Sequence, residues 1–136
     1  MPNAKKPRLG NTYDLLSLYD RLNRRYFDRQ LKLEIKWSNR RPMRARCSVE
    51  LGSYHHRTKS ITISCRLDNP RVPLYFLEHV IFHEMLHSVF PSEKHRMHTQ
   101  KFRRFEKLHP DYERAVQWEK DSLHILFSAA QGKLWA

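Results

Sequence analysis

The chain has 136 residues, 40% of them hydrophobic and 12% aromatic, which suits a single folded domain and excludes a disordered polypeptide. The 26 Lys and Arg against 14 Asp and Glu leave a net charge of +12, and an excess of this size favours a polyanionic partner, above all nucleic acid. Two cysteines without a CxxC spacing exclude a disulfide scaffold and predict an intracellular protein of the cytoplasm, nucleoid or nucleus. No stretch has the pattern of a secretion signal or a membrane span, so we expect no membrane association, and we expect a monomer.

Residues 1–11 form a basic tail, and residues 12–136 are expected to form one domain without repeats or an internal linker. Apolar side chains at three- and four-residue spacing predict a first amphipathic helix whose buried side carries Leu15, Leu18, Leu22 and Tyr26. Asn11 or Thr12 is its expected N-cap.

Three segments with period-two alternation predict strands that bury one face and expose the other. Their apolar positions are Leu31, Leu33, Ile35 and Trp37, then Ala45, Cys47, Val49 and Leu51, then Ile61, Ile63, Cys65 and Leu67. The short links favour antiparallel neighbours, with residues 55–58 near a hairpin tip and residues 40–42 in the preceding connection. The pattern leaves the order of the strands open.

Helices are predicted for the rest of the chain. Pro73 is tolerated in the first turn of a second, strongly apolar helix that Pro91 ends. A third helix is predicted over residues 98–108, and Pro110 separates it from a last helix over residues 111–130. The order of elements predicts an α+β domain with an N-terminal helix, a three-stranded, largely antiparallel sheet and C-terminal helices.

The second helix carries His83, Glu84 and His87 in an HExxH arrangement. Four-residue spacing places both imidazoles on one side of the helix, one turn apart, where they can share a metal ion. Zinc accepts neutral imidazoles in a tetrahedral site, and a catalytic site keeps one position open to water beside three protein ligands. The pattern predicts a zinc site with Glu84 as the base that activates the water, and the alternative is a pair of ordinary helix histidines.

A third ligand must come from a later element, and the candidates are Glu93, His95, His98 and Glu106. The metzincin pattern is excluded because it requires a histidine at residue 93 and a glycine at residue 90. In the predicted third helix His98 shares the apolar stripe of Phe102 and Phe105, whereas Glu106 points roughly 80° away from it. We therefore favour His98, and His95 in the connecting loop is the alternative.

Further segments accompany the HExxH motif in a specific order: Leu22–Phe27, Ile35–Ser38, Leu51–Tyr54, Ile61–Ser64, and His98 followed four residues later by Phe102. In these features residues 12–109 resemble the SprT-like metallopeptidase family, which includes Spartan, and related minimal zincins of the WLM group. The resemblance implies a minimal zincin fold in which His83, His87 and His98 bind zinc and Glu84 is the catalytic glutamate.

The resemblance also implies a peptidase that acts on DNA-bound or crosslinked proteins, as in DNA–protein crosslink repair. Two departures limit what carries over. Thr99 stands where relatives usually have glycine, which leaves the loop around His98 less defined. Many relatives carry a cysteine-rich zinc ribbon, whereas this sequence has no cysteine beyond Cys65, so the expected DNA partner rests on charge alone.

Basic residues in the polar phase of the strands and in their connections predict a DNA-binding sheet face formed by Lys36, Arg40, Arg41, Arg44, Arg46, Arg57 and Lys59. The alternative is a solvated surface partly neutralised by Glu34 and Glu50. The remaining histidines, His55, His56, His79, His109 and His124, are expected to be non-ligands.

Zinc-dependent hydrolysis of peptide bonds is the predicted function, with a protein or peptide substrate that can pair with an exposed sheet edge. His95 or Tyr112 is a candidate second donor to the oxyanion. Two other functions remain open: a basic DNA-binding module with a structural zinc site, and a zinc hydrolase of a non-peptide substrate.

Overall fold

The computed structural model describes residues 10, 12–39, 50–91 and 98–131, with side chains in the last range for residues 98–122 and 124. The elements are α1 (Leu15–Tyr26), β1 (Glu34–Trp37), β2 (Gly52–His55), β3 (Ser60–Ile63), a 3₁₀ turn (Cys65–Leu67), α2 (Leu74–Val89), α3 (Gln100–Glu106) and α4 (Tyr112–Gln131). The predicted α+β architecture is confirmed over these ranges. None of their helices has the length and hydropathy needed to cross a membrane.

The three strands form a mixed sheet in the order β1–β3–β2. β2 pairs with β3 in antiparallel fashion, and residues 56–59 between them form the predicted hairpin tip. β1 pairs with β3 in parallel, so the expectation of antiparallel neighbours is wrong for this pair. Alternation determines which side chains are buried, and it carries no information about which strands become neighbours.

Two strands also differ from their predicted bounds. The second strand lies at Gly52–His55, beyond a predicted segment whose residues 45–49 are outside the described ranges. The third strand ends at Ile63 because the Ser64 hydroxyl accepts the backbone N–H of Arg66 at 3.2 Å and starts a 3₁₀ turn. Leu67 in that turn is fully buried, so the apolar alternation continues past the end of the strand.

α1 packs one apolar stripe against the core, and Leu15, Leu18 and Leu22 are buried as predicted. Tyr19 is buried as well, whereas Tyr26 is only partly buried. Its N-cap is Asp14, whose carboxylate accepts the backbone N–H of Leu16 at 3.1 Å, and not Asn11 or Thr12 as predicted. Thr12 donates its backbone N–H to the Asp68 carboxylate at 2.8 Å, and Asn11 lies outside the described residues.

α2 is buried on almost every side, which is typical of a core helix. Its buried residues are Phe76, Leu77, His79, Val80, Ile81, Phe82, Glu84, Met85 and Leu86. The other helices and strands β2 and β3 pack around it. It begins after Pro73 and ends at Val89, close to the predicted bounds. Because α2 is central, the HExxH motif lies where helices and sheet meet.

Asn23 joins the end of α1 to the segment that leads into β1. Its Oδ1 accepts the backbone N–H of Leu31 at 3.2 Å, and its Nδ2 donates to the carbonyl of Leu31 at 2.8 Å. Its own carbonyl accepts the backbone N–H groups of Phe27 at 3.0 Å and Arg29 at 2.9 Å. Asp28 and Arg29 adopt left-handed φ angles of 51° and 60°. One largely buried side chain thus holds a tight, conformationally unfavourable turn.

Asn23→Ala is expected to lower the free energy of unfolding by about 1–3 kcal/mol, because it leaves both backbone groups of Leu31 without their partner. Urea denaturation followed by circular dichroism measures the change. Arg24→Ala, at an exposed position of the same helix, is the control and should change stability by less than about 0.5 kcal/mol. Equal losses in the two variants would contradict this account of the turn.

Candidate metal centre

Three imidazoles from two parts of the chain converge at the C-terminal half of α2. His83 and His87 project from α2, and His98 lies in the short segment before α3. One ligand nitrogen from each ring lies within 4.8 Å of the other two. The Nε2 atoms of His83 and His98 are 3.1 Å apart. No other His, Cys, Asp or Glu group in the described ranges comes together in this way.

The donor set fits a divalent ion such as Zn²⁺. Tetrahedral zinc with Zn–N bonds of about 2.0–2.1 Å holds its nitrogens roughly 3.3–3.4 Å apart, close to the 3.1 Å between His83 and His98. Burial, with the charge of His83, lowers the pKa of His87 to about 4. Burial also lowers the pKa of His98. The neutral form of imidazole is the one that binds a metal, so both rings are in the required state at neutral pH.

His98 reaches this position for a reason other than the predicted one. α3 begins only at Gln100, so His98 is not part of a helical stripe, and Phe105 of that stripe is 46% exposed. Thr99 is the N-cap of α3, and its hydroxyl accepts the backbone N–H of Phe102 at 3.2 Å. Thr99 therefore adds a side-chain cap to the helix.

Phe102 is the residue that packs the three rings together. It is fully buried, and its ring centroid lies 4.9 Å from that of His83, 4.6 Å from that of His87 and 4.9 Å from that of His98. A closely packed aromatic ring restricts the rotamers of all three imidazoles. The sequence identified Phe102 as an apolar stripe residue and as part of the family pattern, and only the fold shows its contact with the three imidazoles.

Glu106 approaches the site from the end of α3. Its Oε2 lies 2.6 Å from Nδ1 of His83. Burial opposes ionisation of Glu106, but the hydrogen bond and charge of His83 outweigh it and lower the pKa of Glu106. An ionised carboxylate only accepts, so Nδ1 of His83 carries the proton of this bond, and in the neutral form of the ring Nε2 is the nitrogen with a lone pair for a metal. The sequence left Glu106 open as a possible ligand, and the structure instead places its carboxylate against Nδ1 of His83, away from the nitrogen that faces His98.

Glu84 lies beside the imidazoles, 6% exposed, where helix α2 faces strand β2. A Cβ at Gly52 would lie 3.2 Å from both Cγ and Oε2 of Glu84, so the glycine permits this close approach. Burial raises the pKa of Glu84 to about 7. A nearby divalent cation favours the ionised form and acts in the opposite direction. A carboxylate with a pKa near neutrality is well suited to accept and return a proton.

An open cleft of about 640 Å³ contains the three imidazoles and Glu84. Gly52, Ser53 and Tyr54 of β2 line its other side. Within the described sheet β2 is an edge strand, so it has one row of backbone groups without a neighbouring strand. The cleft therefore brings together metal ligands, a buried carboxylate and a strand edge.

The remaining histidines and the predicted basic residues lie outside the three-imidazole group, although His56 lines the main cleft. His55, His56, His79, His109 and His124 do not belong to the three-imidazole group. Lys36 is exposed on β1, and Arg57 and Lys59 are exposed in the hairpin turn. Tyr112 lies on α4 beside a neighbouring cavity, outside the main cleft. Residues outside the described ranges include Glu93, His95, Arg40, Arg41, Arg44 and Arg46.

Glu106→Gln is expected to weaken zinc binding about 10–100-fold, because a neutral amide no longer favours the His83 tautomer that exposes Nε2. Competition with a chromophoric chelator measures the affinity. His98→Ala, which removes a nitrogen donor, should weaken zinc binding more than Glu106→Gln does. The control is Glu113→Gln, at an exposed position of α4, which should bind zinc with the wild-type affinity. Wild-type affinity in Glu106→Gln would contradict the orienting role.

The model of the SprT-like family matches residues 15–121, from the start of α1 into α4. No curated protein and no solved structure shows a significant match to the chain. The matched range includes His83, Glu84, His87, His98 and Glu106, together with the whole described sheet. Because the match covers most of the chain and the site within it has the donors of a metal centre, the protein belongs to the SprT-like family.

Proposed function

We propose that this protein is a zinc-dependent metallopeptidase that cleaves proteins associated with DNA. The observation that carries the proposal is the convergence of three imidazole donors within 4.8 Å beside the buried carboxylate of Glu84, in an open cleft. Membership of the SprT-like family supports a metallopeptidase-like domain. Three neutral nitrogen ligands favour zinc over calcium or magnesium, which prefer oxygen ligands.

His83, His87 and His98 would hold the ion, and when bound it supplies Lewis acidity towards a carbonyl oxygen and a water molecule. An extended substrate would pair with the free edge of β2 and pass its scissile bond in front of the imidazoles. The Glu84 carboxylate would accept a proton as water attacks the carbonyl carbon, and would deliver it to the amine nitrogen as the C–N bond breaks.

A structural zinc site is the main alternative from another class. Such sites are closed by a fourth protein ligand. In the parts of the chain that the structure describes, no fourth His, Cys, Asp or Glu joins the three imidazoles. The open cleft at their side favours a catalytic role, because substrate and water can reach the ligands.

Glu84→Gln is expected to lower kcat for an unstructured protein substrate by about 10²–10⁴-fold while zinc content stays at the wild-type level, because the amide cannot accept the proton. Gel-based cleavage assays and metal analysis of the same preparations measure both quantities. Glu113→Gln should behave as the wild type. Undiminished cleavage by Glu84→Gln would contradict this mechanism, and a zinc-loaded wild type that hydrolyses esters but no peptide would favour a non-peptide substrate.

Nucleic-acid binding is a second part of the proposal, and we infer that α3 contributes more to it than the sheet. Four basic residues lie in or directly after this seven-residue helix, all exposed: Lys101, Arg103, Arg104 and Lys107. None of them forms an ion pair with another described residue. Arg103 is close enough to contribute to the lowered pKa of His98, so this basic surface borders the metal centre.

Of the basic sheet face that the sequence predicts, the structure describes Lys36, Arg57 and Lys59, whereas Arg40, Arg41, Arg44 and Arg46 lie outside the described ranges. Lys36 shares this face with Glu34 on the same strand, and the facing positions of β3 are Ser60 and Thr62. All seven predicted basic residues stay in the proposal as additional contacts: Lys36, Arg40, Arg41, Arg44, Arg46, Arg57 and Lys59. The concentration of charge on α3 supports it as the main surface.

Removing the four charges of α3 by Gln substitution is expected to weaken duplex DNA binding more than the triple variant Lys36→Gln, Arg57→Gln, Lys59→Gln. Each lost phosphate contact should reduce the slope of log K against log [salt] by about 0.9. Fluorescence anisotropy across a salt series measures affinity and slope together. A larger effect of the triple variant would place the surface on the sheet, and salt-independent binding would exclude the electrostatic account.

A further inference from the structure

A second cavity, of about 330 Å³, lies next to the main cleft. It is bounded by α2, α4 and the start of β2, and it shares Gly52, His83 and Glu84 with the main cleft. Its volume is at the lower end of the roughly 300–1,000 Å³ of ligand pockets. The cavity is thus positioned to receive a side chain of a substrate whose reacting bond lies beside Glu84.

The walls of this cavity are acidic in a protein of net charge +12. Glu84, Glu106 and Glu119 line it, and no Lys or Arg does so among the described residues. Glu84 and Glu106 face the candidate metal centre, and Glu106 bonds to His83. Glu119 of α4 has no ion-pair or hydrogen-bond partner among the described residues. It is therefore the carboxylate available to a ligand.

A buried polar side chain in the same wall also lacks a partner. His79 is 7% exposed, and its Nδ1 forms no hydrogen bond. Burial lowers the pKa of His79 to about 4, so the ring is neutral at pH 7 and keeps one nitrogen as an acceptor. Leu51, Val80 and Val116 form apolar parts of the wall, and Tyr112 also lines the cavity. A cavity whose walls combine apolar side chains with hydrogen-bond acceptors suits a long side chain that ends in a cation.

We propose that this cavity binds the lysine or arginine side chain of a substrate residue next to the scissile bond, with Glu119 as the residue that determines the specificity. This inference rests on the proposed peptidase function. The aliphatic stem of the side chain would lie against the valines, and its ammonium or guanidinium group would meet the Glu119 carboxylate. Such a pocket would select substrates with a basic residue beside the scissile bond. Pairing with the edge strand uses backbone groups and does not distinguish substrates by their side chains.

The test compares peptides that are identical except for one residue beside the cleavage site, which is Lys, Met or Glu. The zinc-loaded wild type should show a kcat/KM for the Lys peptide at least about tenfold above that for the Met peptide, equivalent to about 1.4 kcal/mol. Glu119→Gln should bring the Lys-to-Met ratio close to one. Glu119→Lys should reverse the preference in favour of the Glu peptide, a gain that loss of folding cannot produce. Glu113→Gln, also on α4 but exposed, should keep the wild-type ratio.

Equal cleavage of the three peptides by the wild type would overturn the pocket and leave the peptidase function intact. If no peptide is cleaved, the peptidase function fails. A binding measurement then still tests whether the cavity accepts a cation: the affinities of the Lys and Met peptides are compared for Glu84→Gln and for the double variant Glu84→Gln, Glu119→Gln. Tighter binding of the Lys peptide that disappears in the double variant supports the cavity as a cation site. Equal binding of the Lys and Met peptides excludes it.

Discussion

The burial of α2 on nearly all sides is the constraint on which the candidate site depends. Because the sheet and the other helices pack around α2, the carboxylate of Glu84 is held in apolar surroundings beside the imidazoles. Removal from water raises its pKa towards neutrality, which a carboxylate on an exposed helix would not experience. His83 and His87, nearer the end of the helix, are only partly buried and face the cleft. One helix thus supplies a shielded carboxylate and accessible imidazoles.

The third imidazole depends on a helix that cannot be stable alone. α3 has seven residues, well below the roughly 12–15 at which an isolated helix becomes marginal in water. Three contacts hold it in place: the Thr99 cap, the burial of Phe102 among the imidazoles, and the bond from Glu106 to His83. The position of His98 and the docking of α3 are therefore linked, and a bound metal would stabilise both.

The distribution of charge separates two kinds of recognition. The exposed cations of α3 lie on the outer surface beside the site, where phosphates could approach them. The carboxylates of the second cavity lie inside, where a cationic side chain would be enclosed. Proteins that bind DNA carry lysine and arginine where they meet its phosphates. The proposed surface for polyanions and the proposed pocket for cations would together suit substrates that are themselves bound to nucleic acid.

The sequence by itself determined the element types, the buried stripe of α1, the HExxH motif and the resemblance to the family, because these depend on local spacing along one helix or strand. It did not determine the buried side of α2, where Leu74 and Val89 were expected inside and are exposed. His98 was also identified from sequence, although α3 begins after it and the reasoning from helical phase was wrong. Only the tertiary structure decided the parallel pairing of β1 with β3, the role of Glu106 behind His83 and the acidic cavity around Glu119. Each of these joins residues far apart in the chain, and local periodicity holds no information about which distant side chains will meet.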